Sequence, residues 1–135
     1  GCLVDDRMRI LVAQRPEGKS EAGLWEFPGG KVEGVETAEE SLARELKEEL
    51  SIDIDPGDFQ PLSFSTRSNL LLLLFACRTW SGDPRGAEGQ DVRWVTAADL
   101  RSGKFDMPPL DVPLVDPVIG FVKAEFSCRW DRFGT

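Results

Sequence analysis

Two short apolar runs open the chain. Cys2 to Asp5 and Arg9 to Gln14 predict strands around a turn at Asp5-Asp6-Arg7. A polar stretch, PEGKSEAG, follows as a loop. The pattern then changes. Leu42, Leu46 and Leu50 recur every four residues, the spacing of a helical apolar stripe. Thr37 stands at the start of that helix with Glu40 three residues on, which predicts a capping box. Asp53 to Gln60, holding Pro56-Gly57, predicts a loop or short strand. Leu62 to Arg67 and Leu70 to Trp80 predict two strands, and Ser68-Asn69 between them is short enough for a hairpin. Leu70 to Phe75 is apolar on both faces, which predicts a central strand covered on both sides. Ser81 to Gln90 is a turn-rich loop, Val92 to Val95 a strand, and Ala97 to Leu100 the opening of a short helix. Pro108 to Leu114 closes a loop and leads into a last helix, to about Phe126. At Pro117 that helix either kinks or begins, with Asp116 as its cap. Cys128 to Thr135 predicts no particular element. Strands interleaved with two substantial helices give an α/β fold with a mixed sheet.

The polar side of the first helix is unusual. Glu45, Glu48 and Glu49 stand at i, i+3 and i+4 and share one face beside the leucine stripe. Like charges at that spacing repel and weaken an isolated helix. The arrangement makes sense if a doubly positive ion sits among them. Hard oxygen ligands on a rigid element suit Mg²⁺, with Mn²⁺ as a substitute, better than zinc. Before this helix, Pro28 fixes an extended approach to Gly29-Gly30, where the backbone can come close to a ligand or ion. The competing reading is an acidic interaction domain whose glutamates are only a solvated face. In that case Glu48→Gln would be neutral or stabilising.

Composition narrows the chemistry. The chain has 135 residues, of which 41% are apolar, enough for one domain spanning 1–135 with a real core. No signal peptide is visible, and no apolar run is long enough to cross a bilayer. A net charge of −8 argues against holding a nucleic-acid polymer, whose phosphates need a basic surface, but not against a small nucleotide bound through metal. The three cysteines, Cys2, Cys77 and Cys128, form no pairable framework, which predicts reduced thiols and a cytoplasmic location. Without histidine, Ser-His-Asp and Cys-His catalysis and His-ligated zinc are excluded. Tyrosine is also absent. A general base must therefore come from a carboxylate, lysine or cysteine, and carboxylates abound.

The stretch GGKVEGVETAEESLARELKEELSI resembles the signature of the Nudix hydrolase family, the Nudix box. Its fixed positions fall here on Gly30, Glu36, Arg44, Glu45, Leu46, Glu48, Glu49 and Ile52. Ser51 stands where the family has a glycine suited to a left-handed residue closing the helix. The family's first strand is usually longer than Gly1 to Asp5, so a few residues are expected to be missing. The resemblance implies an α/β/α sandwich with a mixed central sheet. It implies metal ligation by Glu45, Glu48, Glu49 and the Gly29 carbonyl, and a structural role for Gly30 and for a Glu36–Arg44 pair. The metal-bound diphosphate would be attacked by water, with Glu45 the first choice of base and Glu88 the second.

LVAQRPEGKSEAGLWEFPGGKVE, RTWSGDPRGAEGQDVRWV and MPPLDVPLV further resemble the MutT-like and CTP pyrophosphohydrolase branch. On that resemblance Glu88, in GAEGQ, is a further metal ligand, and Asp111 stands at a base-reading position. Taken alone, Asp111 would be a helix cap. Arg15, Phe27 and Arg67 would line the nucleotide pocket. The implied activity is Mg²⁺-dependent hydrolysis of a nucleoside triphosphate to monophosphate and pyrophosphate. 8-Oxo-dGTP is the favoured substrate and CTP or 5-methyl-CTP the alternative, and a binding module that has lost catalysis is the rival outside the enzyme class. ADP-ribose hydrolases usually carry a proline where Arg67 stands, and dinucleoside polyphosphate hydrolases a tyrosine that this chain lacks. Oligomeric state is not readable from the sequence.

Overall fold

The computed structural model describes the backbone of residues 1–134 and the side chains of residues 1–128. The elements in order are β1 (Cys2–Leu3), β2 (Ile10–Gln14), β3 (Trp25–Glu26), α1 (Ala38–Leu50), β4 (Gln60–Arg67), β5 (Leu70–Cys77), β6 (Val92–Val95), α2 (Ala97–Arg101) and α3 (Val115–Gly134). The strands form two three-stranded sheets. One runs β1-β5-β4, with β1 parallel and β4 antiparallel to β5; the other, β3-β2-β6, is antiparallel. The predicted mixed sheet is therefore one of two, joined at the Val4–Ile10 bridge.

Alternation along these strands divides their side chains between two cores. Cys2, Val4, Ile10, Val12, Leu74 and Ala76 pack on one side with Val118, Phe121 and Val122 of α3. Leu3, Leu11, Phe75 and Cys77 pack on the other with Leu42, Leu46 and Leu50 of α1. A layer of strands between α1 and α3 is the α/β/α arrangement. It explains why β1 and β2 carry no polar face.

Two expectations need correcting. Leu70, Leu71 and Leu73 are exposed (56%, 62% and 44%), so only the second half of β5 is covered on both faces. The β4–β5 hairpin outruns the helices, and its tip carries Phe64 and these leucines into solvent. At the other correction, α3 does not begin at Pro117 but runs without a break through it from Val115. Val112–Leu114 forms a 3₁₀ turn that runs into α3 at Val115. Pro117 falls in the first helical turn, where an amide N–H has no helical partner to lose. The helix also continues past the predicted end at Phe126, through most of the unassigned tail. Thr135 lies outside the described residues.

Helix α1 begins and ends through its local sequence. Thr37 accepts from the Glu40 N–H and the Glu40 side chain accepts from the Thr37 N–H, completing the capping box. At the other end Ser51 adopts the left-handed conformation (φ 58°, ψ 37°) and donates its N–H to the Lys47 carbonyl. A side chain there is strained and glycine is not. Ser51→Gly is expected to raise stability by up to about 1 kcal/mol with turnover unchanged, as read by denaturant midpoint and steady-state rate. A variant no more stable than the parent would mean that Ser51 bears no strain.

Candidate active site

The loop between β3 and α1 is pinned to the helix by one arginine. Arg44 grips Glu36 with two hydrogen bonds, Nε to Oε2 at 2.8 Å and Nη2 to Oε1 at 3.0 Å. It also donates to the Lys31 carbonyl at 3.2 Å and to Glu45 Oε1 at 3.0 Å, and stands 3.5 Å from Glu48. Ser41 Oγ donates to the same Lys31 carbonyl. The pairing holds the Glu36 carboxyl below its ordinary value. Gly30 completes the arrangement: a Cβ there would overlap the Glu45 carboxylate. Glu45 thus lies between the glycine backbone and the Arg44 guanidinium.

Glu49 is on the inner side of the same helix. Burial pushes its carboxyl up to about 8, and the charges of Glu45, Glu88 and Glu26 push the same way. These three acids, from α1, the loop before β6 and β3, all bear on Glu49. The loop reaches α1 by bonding to its last carbonyls: the Arg85 N–H meets Leu50 O at 3.1 Å and the Ala87 N–H meets Glu49 O at 3.0 Å. Glu48 is exposed on the rim. In this arrangement no three histidine, cysteine or acidic side chains among the described residues stand close enough together to enclose an ion. Glu45 instead leans on Arg44.

A second buried acid lies nearby. Asp111 is 5% exposed, and its Oδ2 accepts the Phe27 N–H at 3.0 Å. It makes no capping hydrogen bond to the turn that follows it. Burial raises its carboxyl to about 6, against the Phe27 N–H, which favours the ionised form. Trp25, Glu26 and Phe27 therefore link the two acidic centres: Phe27 holds Asp111 while Glu26 adds its charge to both Asp111 and Glu49.

The family model for the NUDIX domain matches residues 1–116. The chain belongs to the Nudix family. It is 35% identical over 117 residues to the 8-oxo-dGTP diphosphatase of Haemophilus influenzae, covering 85% of each chain. It is 34% identical over 116 residues to the CTP pyrophosphohydrolase of Escherichia coli, covering 84% of each. Among solved structures it resembles a MutT from work on the Aliivibrio salmonicida and Vibrio cholerae proteins. That match has a TM-score of 0.79 and 34% identity, and covers 89% of this chain and 93% of that one. The solution structure of the E. coli ORF135 protein matches with a TM-score of 0.74 and 29% identity, over 91% and 89% of the two chains.

Within this Nudix chain the predicted residues are not all gathered. Arg44 joins Glu36, Glu45 and Glu48, Gly30 abuts Glu45, and Glu45 and Glu88 bear on Glu49, while Gly29 lies beside Leu42 of the same helix; Phe27 and Asp111 form the second centre. Arg15 lies at the end of β2, where Nη1 meets Glu26 Oε2 at 2.8 Å and Nε meets Ser20 O at 2.7 Å. Arg67 is the last residue of β4. It sits exposed at the hairpin turn opposite Leu70, with no hydrogen bond or ion pair to the others. Sequence reasoning missed Glu26, whose signal was faint: an acid between two buried aromatics on a short strand.

Proposed function

We propose that this Nudix protein is a divalent-metal-dependent nucleoside triphosphate pyrophosphohydrolase, with 8-oxo-dGTP its favoured substrate. One observation carries the reading. Glu49 is a half-buried acid facing Glu45, Glu88 and Glu26, an arrangement that is unfavourable without a cation. The donors are all hard oxygens, which suits Mg²⁺ or Mn²⁺. Glu45, Glu48, Glu49, Glu88 and the Gly29 carbonyl would hold it. When bound, the ion would neutralise charge on the phosphate oxygens and lower the pKa of a bound water.

The chain's own residues then have separable tasks. Arg44 and Gly30 fix where the Glu45 carboxylate lies. Glu45, with Glu88 as second candidate, would take the water's proton. Arg15 supplies positive charge at the edge of the site, restrained by Glu26. Asp111 reads the base. Its Oδ2 is engaged by Phe27, which leaves the other oxygen for the base. Ionised, Asp111 accepts from guanine N1–H and the 2-amino group; protonated, it can also donate. The cytoplasm is the expected compartment, and among the described residues no helix is long and apolar enough to cross a membrane.

The relatives named for 8-oxo-dGTP and for CTP are similar to nearly the same degree, so base preference needs its own experiment. A turnover panel of 8-oxo-dGTP, dGTP, CTP, 5-methyl-CTP, dATP and ADP-ribose is expected to favour 8-oxo-dGTP. A preference for cytosine nucleotides would keep the chemistry and overturn the base assignment. In the same assay Asp111→Ala is expected to raise KM for 8-oxo-dGTP roughly 10- to 100-fold, the worth of a charged hydrogen bond. An unchanged KM would remove Asp111 from base recognition.

A further inference from the structure

We propose that Gln90 is the positioning residue that fixes Glu88 beside Glu49, because its one amide joins the backbones of both glutamates. This rests on the metal-dependent reading above. Gln90 Nε2 donates to Glu49 O at 3.0 Å, and Gln90 Oε1 accepts from the Glu88 N–H at 3.0 Å. The partners dictate the amide's orientation. A backbone carbonyl only accepts and a backbone N–H only donates, so the flipped amide would set oxygen against oxygen and N–H against N–H.

The surrounding loop has little else to direct Glu88. Glu88 is exposed and lies in a turn closed by the Gly89 N–H to Gly86 O bond, between two glycines. The Ala87 N–H shares the Glu49 carbonyl with Gln90, so loop and side chain meet the helix at one point. Gly86 leaves no tolerance there: a Cβ would overlap the backbone carbonyl oxygen of Gln90. The Glu49 carbonyl belongs to the last helical turn, where helix geometry provides no partner. Gln90 therefore adds a second donor, beside Ala87, to an end carbonyl of α1 and at the same time sets the direction in which the chain presents Glu88. Because the anchor is Glu49 itself, any shift of the helix end carries Glu88 with it, and the two carboxylates keep their relation.

A purely structural tether and a positioning tether differ in one readout, metal binding. Mn²⁺ is titrated into the metal-free full chain and free ion followed by electron paramagnetic resonance, with thermal melts of the same samples. Gln90→Ala is expected to weaken Mn²⁺ binding about tenfold, the low end of the range for an outer-shell partner. Glu88→Gln should weaken it at least as much, and the double variant should be no weaker than Glu88→Gln alone. Gln90→Asn, which keeps the amide but is one methylene too short to span both backbones, serves if Gln90→Ala melts too low. Wild-type Mn²⁺ affinity in a folded Gln90 variant would overturn the proposal. So would losses that add fully in the double variant, because Gln90 would then act independently of Glu88. A wild-type chain that neither binds Mn²⁺ nor hydrolyses any nucleotide would overturn the functional reading itself, and this inference with it.

Discussion

Glu49→Gln is expected to lower kcat by about 10²–10⁴-fold and, in metal-free protein, to raise stability at alkaline pH. Both effects have one cause. Burial, then Glu45 and Glu88, raise the Glu49 carboxyl to about 8 from an ordinary 4.5. Below about pH 4.5 folded and unfolded chains both carry the proton. Between there and about 8 only the folded chain does, so unfolding releases a proton and stability falls as pH rises. The loss is on the order of a few kcal/mol and is complete above about pH 8. Glutamine has no proton to lose, so urea midpoints in chelator should separate variant from parent at pH 8.5 and converge toward pH 4.5. A cation opposes the same penalty by favouring the ionised form, so metal binding near neutral pH should release a proton. A parent whose metal-free stability is flat from pH 5 to 8.5 would mean that Glu49 is not held as an acid among acids.

Gly30→Ala is expected to cost about 10²-fold in kcat while leaving stability within about 1 kcal/mol. The two halves come from different atoms. Gly30 does not have a positive φ, so alanine fits its backbone. The atoms nearest to the new methyl all belong to the Glu45 carboxylate, the mobile end of a flexible side chain. The fold escapes by turning Glu45 aside, which also breaks its 3.0 Å contact with Arg44. Chemistry that depends on Glu45 cannot escape in that way. Steady-state rates and melts on one preparation decide the matter. An active variant would show that the position of Glu45 is unimportant, and an unfolded one that the loop backbone is tighter than it looks.

The parts of this architecture written in short-range sequence were legible. The leucine stripe, the Thr37–Glu40 box and the left-handed Ser51 each depend on residues within a turn or two. The Glu36–Arg44 pair was legible only through the family motif, since seven intervening residues of helix and loop give no local rule. What failed depends on how far one element reaches over another. Eight apolar residues in β5 look alike in sequence, yet α1 and α3 cover only the end near Cys77, and Leu70, Leu71 and Leu73 stay exposed. Asp111 reads as a cap from its neighbours, while the partner it has lies 84 residues away at Phe27. Glu26 and Gln90 are ordinary polar residues until the fold brings Glu49 to both. Arg67 came from positional matching, and it stands at the hairpin turn opposite Leu70.

The most direct test of the central claim is product analysis of 8-oxo-dGTP incubated with the purified chain, with Mg²⁺ and with excess chelator. Monophosphate and pyrophosphate in equal amounts, formed only with the metal, are the expected products. Diphosphate plus orthophosphate, equal turnover in chelator, or intact triphosphate under both conditions would contradict the account.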